Sequence, residues 1–540
     1  MKETVLKIGR LTESDTLYRA DRALYSVQET DCAVVTNPYC VNFFYETLPQ
    51  LHSAVYAERL QNVVVDFGGA TLHLNGNLQP INFFRCENIR LCNVNIEYDR
   101  GLFSEASVLE VGADYARVHF PEEFPCRVED GRLIPYGNYW EDDHLFERQM
   151  FFQFFDPVTA DGLGLSLGIV GPRIPPKQDR CFNPAHYVVE QDGDDVIFRM
   201  ANRDETLPDV WKVGSTLVIE HGGRFYPGVI LQSCRNVTLE NVRLINTNSM
   251  GILPLHCENV CMRRLHLMRD ERSHGIVSNS ADAVHGIANS GDFLIEDSVF
   301  ENMLDDALNI HGQFLVVTAC VGNRLTARIT SHSITQYCNL VDVGDELAIH
   351  AETTMVTRST HRVTAVRLVD PYTAEITLDG VPNHVCVNDL VENLSGNCRL
   401  TLRRCRFAKA NSHLRFQTRG RVLVEDCVTE LPFLLTGDAN FWFESSPCCD
   451  FTVRNTYFAK ERAILDSCPE FTPCAAEPYY HKHITVENCL FIHETPLKAR
   501  CTDDIQFHAN RQVFGRPMTL ETVKCGAVDA PGCAVHRKDG

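Results

Sequence analysis

Short stretches in which apolar and polar residues alternate recur along most of this chain of 540 residues. Alternation with a period of two is typical of a half-buried β-strand. Three of these stretches begin with the form Cys-x-Asn-(Ile/Val), at Cys86–Ile89, Cys234–Val237 and Cys257–Val260. A related apolar-polar form recurs downstream at residues 295–300, 402–407, 424–427, 453–458 and 486–491.

The spacing of these copies predicts a solenoid. Successive copies lie about 22 to 33 residues apart, and Asn236 and Asn259 are 23 residues apart; such periods are typical of repeat architectures. A single rung cannot bury its apolar face, so stacked rungs must share one core. Asn at equivalent corners favours ladders of side-chain hydrogen bonds and left-handed turns. We therefore predict an all-β protein, a right-handed parallel β-helix.

Two stretches interrupt the repeat and share a second motif, at Val213–His221 and Val343–His350. We interpret them as inserted β-rich domains resembling small barrels. Because the first rung would expose a sheet edge, we expect residues 15–25, which have helical apolar spacing, to form an N-terminal cap helix. The predicted order is cap helix and first rungs (1–99), first insertion (100–228), catalytic rungs (229–313), second insertion (314–392), C-terminal rungs (393–515) and a tail without a clear pattern (516–540).

Charge and composition narrow the classes of partner. The net charge of −21 repels nucleic acid, whereas a neutral sugar is compatible with it. No apolar stretch approaches the roughly 18 residues of a membrane span. The 23 cysteines lack zinc spacing and favour reduced thiols. With no apolar signal at the N-terminus, we expect a cytoplasmic protein, or a secreted one if a signal peptide has been removed. A homodimer is compatible with a solenoid flank that carries two insertions.

Candidate chemistry concentrates in three aspartates. Asp282 and Asp305 lie 23 residues apart, which matches one rung, and Asp306 follows directly. Adjacent rungs are about 4.8 Å apart, so the carboxyl groups would crowd together and the pKa of at least one should rise. One protonated and one ionised carboxyl are what glycoside hydrolysis requires. Solvated turns and a calcium site are the alternatives. The neighbouring His285 and His311 favour sugar contacts, because imidazole is a poor calcium ligand.

Two further groups alternate along predicted strands and so share a face. Arg415, Gln417 and Arg419 form one group, and Trp442 and Glu444 form the other. An exposed Trp ring stacks well on the apolar face of a sugar, and the charged groups can bind hydroxyls. Core packing, a surface salt bridge and solvent-facing ladder residues are the alternatives.

Four motifs resemble glycoside hydrolase family 110: Ser280–His285, Asp305–Gly312, Gln417–Gly420 and Gly437–Ser445. The resemblance spans most of the chain. Members of that family are α-1,3-galactosidases that act on terminal α-linked galactose, including the blood group B determinant. The resemblance therefore implies an exo-acting enzyme, with a galactose-terminated oligosaccharide or glycan as its substrate.

The resemblance also implies an inverting, metal-independent mechanism without a cofactor. The acid role falls on Asp305, and the base role on Asp306 and Asp282. The residues expected to contact the sugar are Asn279, His285, Asn309, His311, Arg415, Gln417, Arg419, Trp442 and Glu444.

Two other functions fit a β-helix. One is a polysaccharide lyase or epimerase, which would need calcium or basic side chains to neutralise a uronate. The acidic cluster has no obvious Lys, which disfavours such a substrate. The other is a non-catalytic β-helix that binds glycans, against which the stacked carboxylates argue.

Overall fold

The computed structural model describes most of the chain. The described residues are 1–35, 51–141, 150–159, 161–170, 185–221, 226–270, 272–273, 275–330, 340–370, 372–409, 413–439, 441–471, 473–475 and 477–538. Among them the only helix is a single 3-10 turn at Glu29–Asp31, and regular structure is otherwise β-strand. Within that same part of the chain, no helix has the length and apolar character needed to cross a membrane.

Two long sheets of mainly parallel strands form the body of the protein, which confirms the predicted β-helix. Sheet 1 has 21 strands: Lys2–Val5, Thr16–Arg19, Leu24–Val27, Gln61–Asp66, Thr71–Leu74, Glu87–Tyr98, Arg235–Ile245, Glu258–Leu267, Ser290–Glu296, Val299–Glu301, Arg399–Arg403, Arg406–Ala408, Val422–Glu425, Val428–Thr429, Phe451–Arg454, Tyr457–Phe458, Ile484–Glu487, Leu490–Phe491, Asp504–His508, Arg511–Gln512 and Ala527–Asp529. Sheet 2 has 15 strands: Gly9–Leu11, Ala33–Val35, Leu51–Glu58, Gln79–Phe84, Val229–Gln232, Ile252–Leu255, Val284–Ile287, Leu308–Gln313, Leu414–Gln417, Phe433–Leu435, Glu444–Ser445, Leu465–Ser467, Leu497–Arg500, Thr519–Val523 and Ala534–Lys538.

The corners of the rungs carry the predicted asparagine ladder. Asn62, Asn88, Asn236 and Asn259 all have positive φ angles of 54° to 58°. Each amide donates to the amide oxygen of the residue one rung earlier, at 2.9 to 3.0 Å, from Asn259 back to Asn62. Asn tolerates this left-handed conformation better than most residues, which explains its recurrence at the corner.

Inside the rungs the core is apolar and includes thiols. Cys86, Cys234 and Cys257 are buried at equivalent positions, and Phe300 stacks on Phe407 with ring centroids 5.3 Å apart. All cysteines in the described residues are free, as expected for reduced thiols. The repeated Cys therefore fills the core beside each corner and does not cross-link rungs.

The two insertions form closed barrels. The strands of barrel 1 are Phe103–Val111, Tyr115–His119, Met150–Phe155, Gly162–Val170, Ala185–Asp192, Asp195–Met200 and Thr216–Glu220, and the hairpin Cys126–Glu129 and Arg132–Pro135 accompanies them. The strands of barrel 2 are Leu315–Val321, Arg324–Arg328, Glu346–His350, Thr357–Asp370, Thr373–Leu378 and Leu390–Asn393. The repeated motif supplies one barrel strand in each, Thr216–Glu220 and Glu346–His350.

The predicted cap helix is wrong. Thr16–Arg19 and Leu24–Val27 are strands of sheet 1, and Thr16 pairs with Lys2 while Leu24 pairs with Thr71. Exposed and buried residues alternate in Leu24–Val27, which is the period of two of a β-strand. Apolar residues in the preceding turn make the spacing over residues 15–25 resemble that of a helix.

The tail after residue 516 also differs from the prediction, because the solenoid continues through it. Thr519–Val523 pairs in parallel with both Leu497–Arg500 and Ala534–Lys538. Only Leu520 of this strand is a large, fully buried apolar side chain, so the hydrophobic pattern there is too weak to predict a rung.

Candidate active site

The outer face of sheet 2 carries five of the predicted sugar contacts: His285, Asn309, His311, Arg415 and Gln417. They lie on the adjacent parallel strands Val284–Ile287, Leu308–Gln313 and Leu414–Gln417. The inward side chains of these strands fill the core, and the outward ones stack in columns across the rungs. One column contains His285, Asn309 and Arg415, and the next contains Ile287, His311 and Gln417. Residues from three separate parts of the sequence thus come together on one surface.

The three aspartates lie at the start of these strands. In the register of the two strands, Asp306 lies beside Asp282, and the two residues are 24 positions apart in the sequence. The Asp306 N–H donates to Asp282 Oδ1 at 3.2 Å. The predicted alignment of Asp282 with Asp305 is therefore wrong by one residue, because the turn holds one residue more than the assumed period. One carboxylate oxygen from each of the three still lies within 4.8 Å of the others. Asp305 is the partly exposed member, and the other two are buried.

Arg415 compensates part of this negative charge. Its Nε lies 2.6 Å from Asp306 Oδ2, and the backbone N–H of His413 donates to Asp306 Oδ1 at 2.8 Å. Burial lowers the pKa of Arg415, but the charges of Asp306, Glu444 and Asp305 raise it above its ordinary value. A permanent cation therefore faces the aspartates from the following rung.

Asp282 shows the predicted effect of crowding. It is 3% exposed, and burial together with the charge of Asp305 raises its pKa to about 6, against the lowering effect of His285. The His285 ring hydrogen-bonds to the carboxylate through Nδ1. Asp282 is thus poised to exchange a proton near neutral pH, a property suited to acid–base catalysis.

A second group, of polar side chains, lies against the aspartates. His311 Nε2 lies 3.0 Å from His285 Nε2, and Gln417 Nε2 donates to Glu444 Oε2 at 2.8 Å. The Asn309 amide is 3.4 Å from Glu444 Oε1. Burial raises the pKa of Glu444, but the positive charges of His311 when protonated, Arg415 and His285 bring it below its ordinary value. Buried donors and acceptors that can bind the hydroxyl groups of one sugar are thus present on Asn309, Gln417 and Glu444.

Glu444 reaches this group from a segment that crosses sheet 2. Ser445 and Glu444 pair antiparallel with Gly312 and Gln313. The predicted sharing of one strand face by Trp442 and Glu444 does not apply, because the strand begins at Glu444 and Trp442 precedes it. Glu444 is buried and Trp442 is partly exposed. The Trp442 ring packs edge-on against Phe441, with centroids 4.5 Å apart.

Two of the expected sugar contacts have structural partners instead. The buried amide of Asn279 donates to the carbonyl oxygens of Ala281 and Asp282, at 2.6 and 2.9 Å, and so shapes the turn that presents Asp282. Arg419 forms a fork with the buried carboxylate of Glu392 in barrel 2, at 2.7 and 2.8 Å. Alternation along the sequence placed Arg419 on the site face, but the strand ends at Gln417.

Barrel 1 supplies residues that the sequence did not indicate. The buried Glu105 carboxylate accepts hydrogen bonds from the N–H groups of Ile276 and Val277, and Gln153 donates to the carbonyl of Leu304 at 3.2 Å. Burial raises the pKa of Glu105 to about 7. These contacts hold the segments that lead into the aspartates. Glu105 and Ile276 are 171 residues apart, so no local pattern reveals the pairing.

Two sets of three side chains have ligand atoms close enough together for a metal ion: Asp282, Asp305 and Asp306, and His285, His311 and Glu444. Arg415 and the hydrogen bonds already described compensate the carboxylates without an ion. We assign no metal ligand, and metal independence stays a prediction.

Comparison with known proteins gives relatives that are named alpha-1,3-galactosidases. No family model matches the chain. It is 24% identical to alpha-1,3-galactosidase B of Bacteroides thetaiotaomicron, over 88% of this chain and 76% of that protein. It is 25% identical to alpha-1,3-galactosidase B of Akkermansia muciniphila over 84% of this chain, but spans only 57% of that protein. It is 23% identical to alpha-1,3-galactosidase A of Bacteroides fragilis, over 80% and 70%.

Among solved structures, the tailspike protein gp49 of Pseudomonas phage LKA1 matches with 8% identity over 90% of this chain and 74% of that chain. The TM-score of 0.24 is too low to support an inference.

The position of Arg419 leads to a prediction about stability. Arg419→Met removes the permanent cation from Glu392, 1% exposed, and leaves that buried carboxylate with only the His350 ring as a charged partner, so we expect a loss of about 3–5 kcal/mol of unfolding free energy and a lower melting temperature. The control is Arg399→Met, which breaks an exposed pair with Asp292 and should leave the melting temperature nearly unchanged. A variant with unchanged melting but a raised KM for substrate would instead assign Arg419 to sugar binding.

Proposed function

We propose that this protein is an exo-acting glycoside hydrolase that releases terminal α-1,3-linked galactose from oligosaccharides or glycans. The observation that carries the proposal is the set of three carboxylates, with oxygens within 4.8 Å, beside a buried group of hydroxyl-binding side chains. The curated relatives, all named as α-1,3-galactosidases, support the enzyme class and the linkage.

The arrangement indicates which aspartate acts as the acid and which acts as the base. Asp305, the partly exposed aspartate, gives its proton to the glycosidic oxygen as the bond from that oxygen to the anomeric carbon breaks. Water forms the new bond to the anomeric carbon, and its proton passes to the buried side of the cluster, Asp282 or Asp306. Since the raised pKa of Asp282 lies close to neutral pH, Asp282 suits the accepting role better than an ordinary carboxylate does.

The stereochemical outcome that we propose is inversion, on the strength of the resemblance to family 110. Inverting enzymes usually separate their carboxyl groups by about 6.5–9.5 Å and retaining enzymes by about 5–5.5 Å. The nearest oxygens of the three carboxyl groups lie within 4.8 Å of one another, a spacing that does not itself select inversion.

Exo action is supported by the way sheet 2 is covered on one side of the site. In the preceding rungs the outward side chains Ile230, Leu253 and Leu255, like Ile287 in the site rung, pack into one apolar cluster with barrel 2. A glycan cannot continue in that direction. The outer face of sheet 2 is thus covered on the side of the earlier rungs.

On the rungs that follow the site, the outward residues in the column of Arg415 are partly exposed, unlike the buried ones on the earlier rungs. Arg415 is followed on successive rungs by Leu434, Asp466 and Lys498, each partly exposed. This polar surface is where we place the remainder of the glycan.

A lyase or epimerase is less consistent with the site. Three carboxylates repel the anionic uronate that those enzymes bind, and the arginine that faces them, Arg415, is already paired with Asp306. A non-catalytic glycan-binding protein would have no use for a buried carboxyl with a raised pKa.

The function is tested with galactosyl disaccharides linked α-1,3, α-1,4 and α-1,6, a fucosylated B-type trisaccharide and polygalacturonate, each with and without EDTA. We expect free galactose from α-1,3-linked substrates only, insensitive to the chelator. An unsaturated product that absorbs in the ultraviolet would identify a lyase. Binding without any product would identify a glycan-binding protein.

The acid role of Asp305 gives a second prediction. Asp305→Asn should lower kcat/KM on an α-1,3-linked disaccharide by about 10²–10⁴-fold, because the departing sugar needs a proton. The loss should be much smaller on an aryl α-galactoside whose leaving group departs without one. Asp292→Asn, at an exposed aspartate, is the matched control. Equal losses on both substrates would assign Asp305 to a different role.

A further inference from the structure

A chain of hydrogen bonds runs from Asp282 through His285 and His311 to the carbonyl of Gly312. Because a carbonyl oxygen only accepts, His311 Nδ1 must carry the hydrogen. Burial lowers the pKa of His311 to about 4, so at neutral pH the ring holds a single proton and its Nε2 is an acceptor.

The state of His285 follows from that of His311. Its Nε2 lies 3.0 Å from His311 Nε2, and since His311 accepts there, His285 Nε2 must carry a hydrogen. Its Nδ1 is bonded to Asp282 Oδ2. The hydrogen bond between His285 Nδ1 and Asp282 Oδ2 contains one further proton, which either the imidazole or the carboxyl can hold. His285 and Asp282 therefore titrate as a pair.

Both residues of the pair are enclosed. His285 is 7% exposed and Asp282 is 3% exposed, and the second oxygen of Asp282 accepts the N–H of Asp306. The other charged or titratable groups that face His285 are His311 on the next strand, Glu444 on the crossing segment, Asp305 and Asp306 on the turn, and Arg415 one rung further. With both ring nitrogens engaged, the His285 ring offers no free nitrogen to a sugar.

We propose that His285, held by His311, is a positioning residue that orients Asp282 and keeps it able to accept the proton of the attacking water. The proposal rests on the proposed function and replaces the expected contact of His285 with sugar. In the step, the water oxygen bonds to the anomeric carbon as its bond to the departing oxygen breaks. The water proton goes to Asp282, and Asp305 protonates the departing oxygen. His285 touches neither substrate nor water.

The electrostatic consequence has a definite sign. Burial and the charge of Asp305 raise the pKa of Asp282, whereas His285 lowers it. Removing His285 takes away the lowering contributions of its charge and its hydrogen bond, so Asp282 should hold its proton to higher pH. A carboxyl that is already protonated cannot accept the proton of water, and the acid limb of the pH–rate profile should therefore move to higher pH.

The test compares His285→Ala and His285→Asn across the pH range on an α-1,3-linked disaccharide. We expect His285→Ala to lower kcat at pH 7 on the order of 100-fold, with KM little changed and the acid limb of kcat/KM at higher pH. His285→Asn retains an N–H donor near the Nδ1 position and should recover part of kcat. The control is His536→Ala, an exposed histidine on the last strand.

Two outcomes would overturn the proposal. A raised KM with kcat and the acid limb unchanged would make His285 a sugar ligand. A loss of activity that is uniform with pH would make its role purely structural.

If the variants do not fold, nitrogen-15 NMR of the histidines in the unaltered protein tests the proposal without any substitution. We expect a hydrogen on His285 Nε2 and on His311 Nδ1 at pH 7, and an unprotonated His285 Nε2 would overturn the proposal. Failure of the proposed function is distinguishable, because the unaltered protein would then release no galactose.

Discussion

Repulsion among three carboxylates packed into one buried corner is the constraint on which the rest of the site depends. Asp282, Asp305 and Asp306 would not all remain ionised at this spacing without nearby positive charge. Arg415 supplies a permanent charge from the following rung, and His285 supplies a shared proton from the strand that Asp282 precedes. The negative charge that these groups do not compensate acts on Asp282, together with burial. The pKa of Asp282 therefore rises to the range where proton transfer at neutral pH is efficient.

The β-helix provides the means to build such a corner. Parallel strands in register bring side chains from distant parts of the sequence into one column, as with Asn309 and Arg415, which are neighbours although barrel 2 separates them in the chain. Barrel 2 covers the apolar side of sheet 2, and barrel 1 holds the segments that lead into the aspartates through Glu105 and Gln153. The rungs place the chemistry, and the insertions pack beside it.

Much of this could be predicted from the sequence, because the repeat carries its own geometry. The asparagine at each corner identified the rungs, and the rung period brought Asp282 to the Asp305 turn. The same periodicity led to wrong predictions where a turn or a strand end departs from the regular rung. Turn length changes the register by one residue, so Asp282 aligns with Asp306. Arg419 lies beyond the end of its strand and pairs with barrel 2.

Contacts between an insertion and the solenoid could not be predicted in this way. Glu105 and Ile276 are joined only by the closure of barrel 1, and no spacing rule relates them. The segment that brings Glu444 over the site is similar, because its antiparallel pairing with Gln313 breaks the pattern of the rungs. The N-terminal strands were missed for another reason, since four-residue strands give too few positions to separate a period of two from a helical one.

The most direct test of the central claim is proton NMR of the galactose released in the first minutes of hydrolysis of a linear α-1,3-linked galactosyl disaccharide. If Asp305 protonates the departing oxygen while Asp282 and Asp306 activate water on the opposite face, the first product is β-galactose, which then equilibrates to the α form. Initial release of α-galactose would mean that a carboxylate attacks the sugar directly, and the assignment of Asp282 and Asp306 to water activation would be wrong.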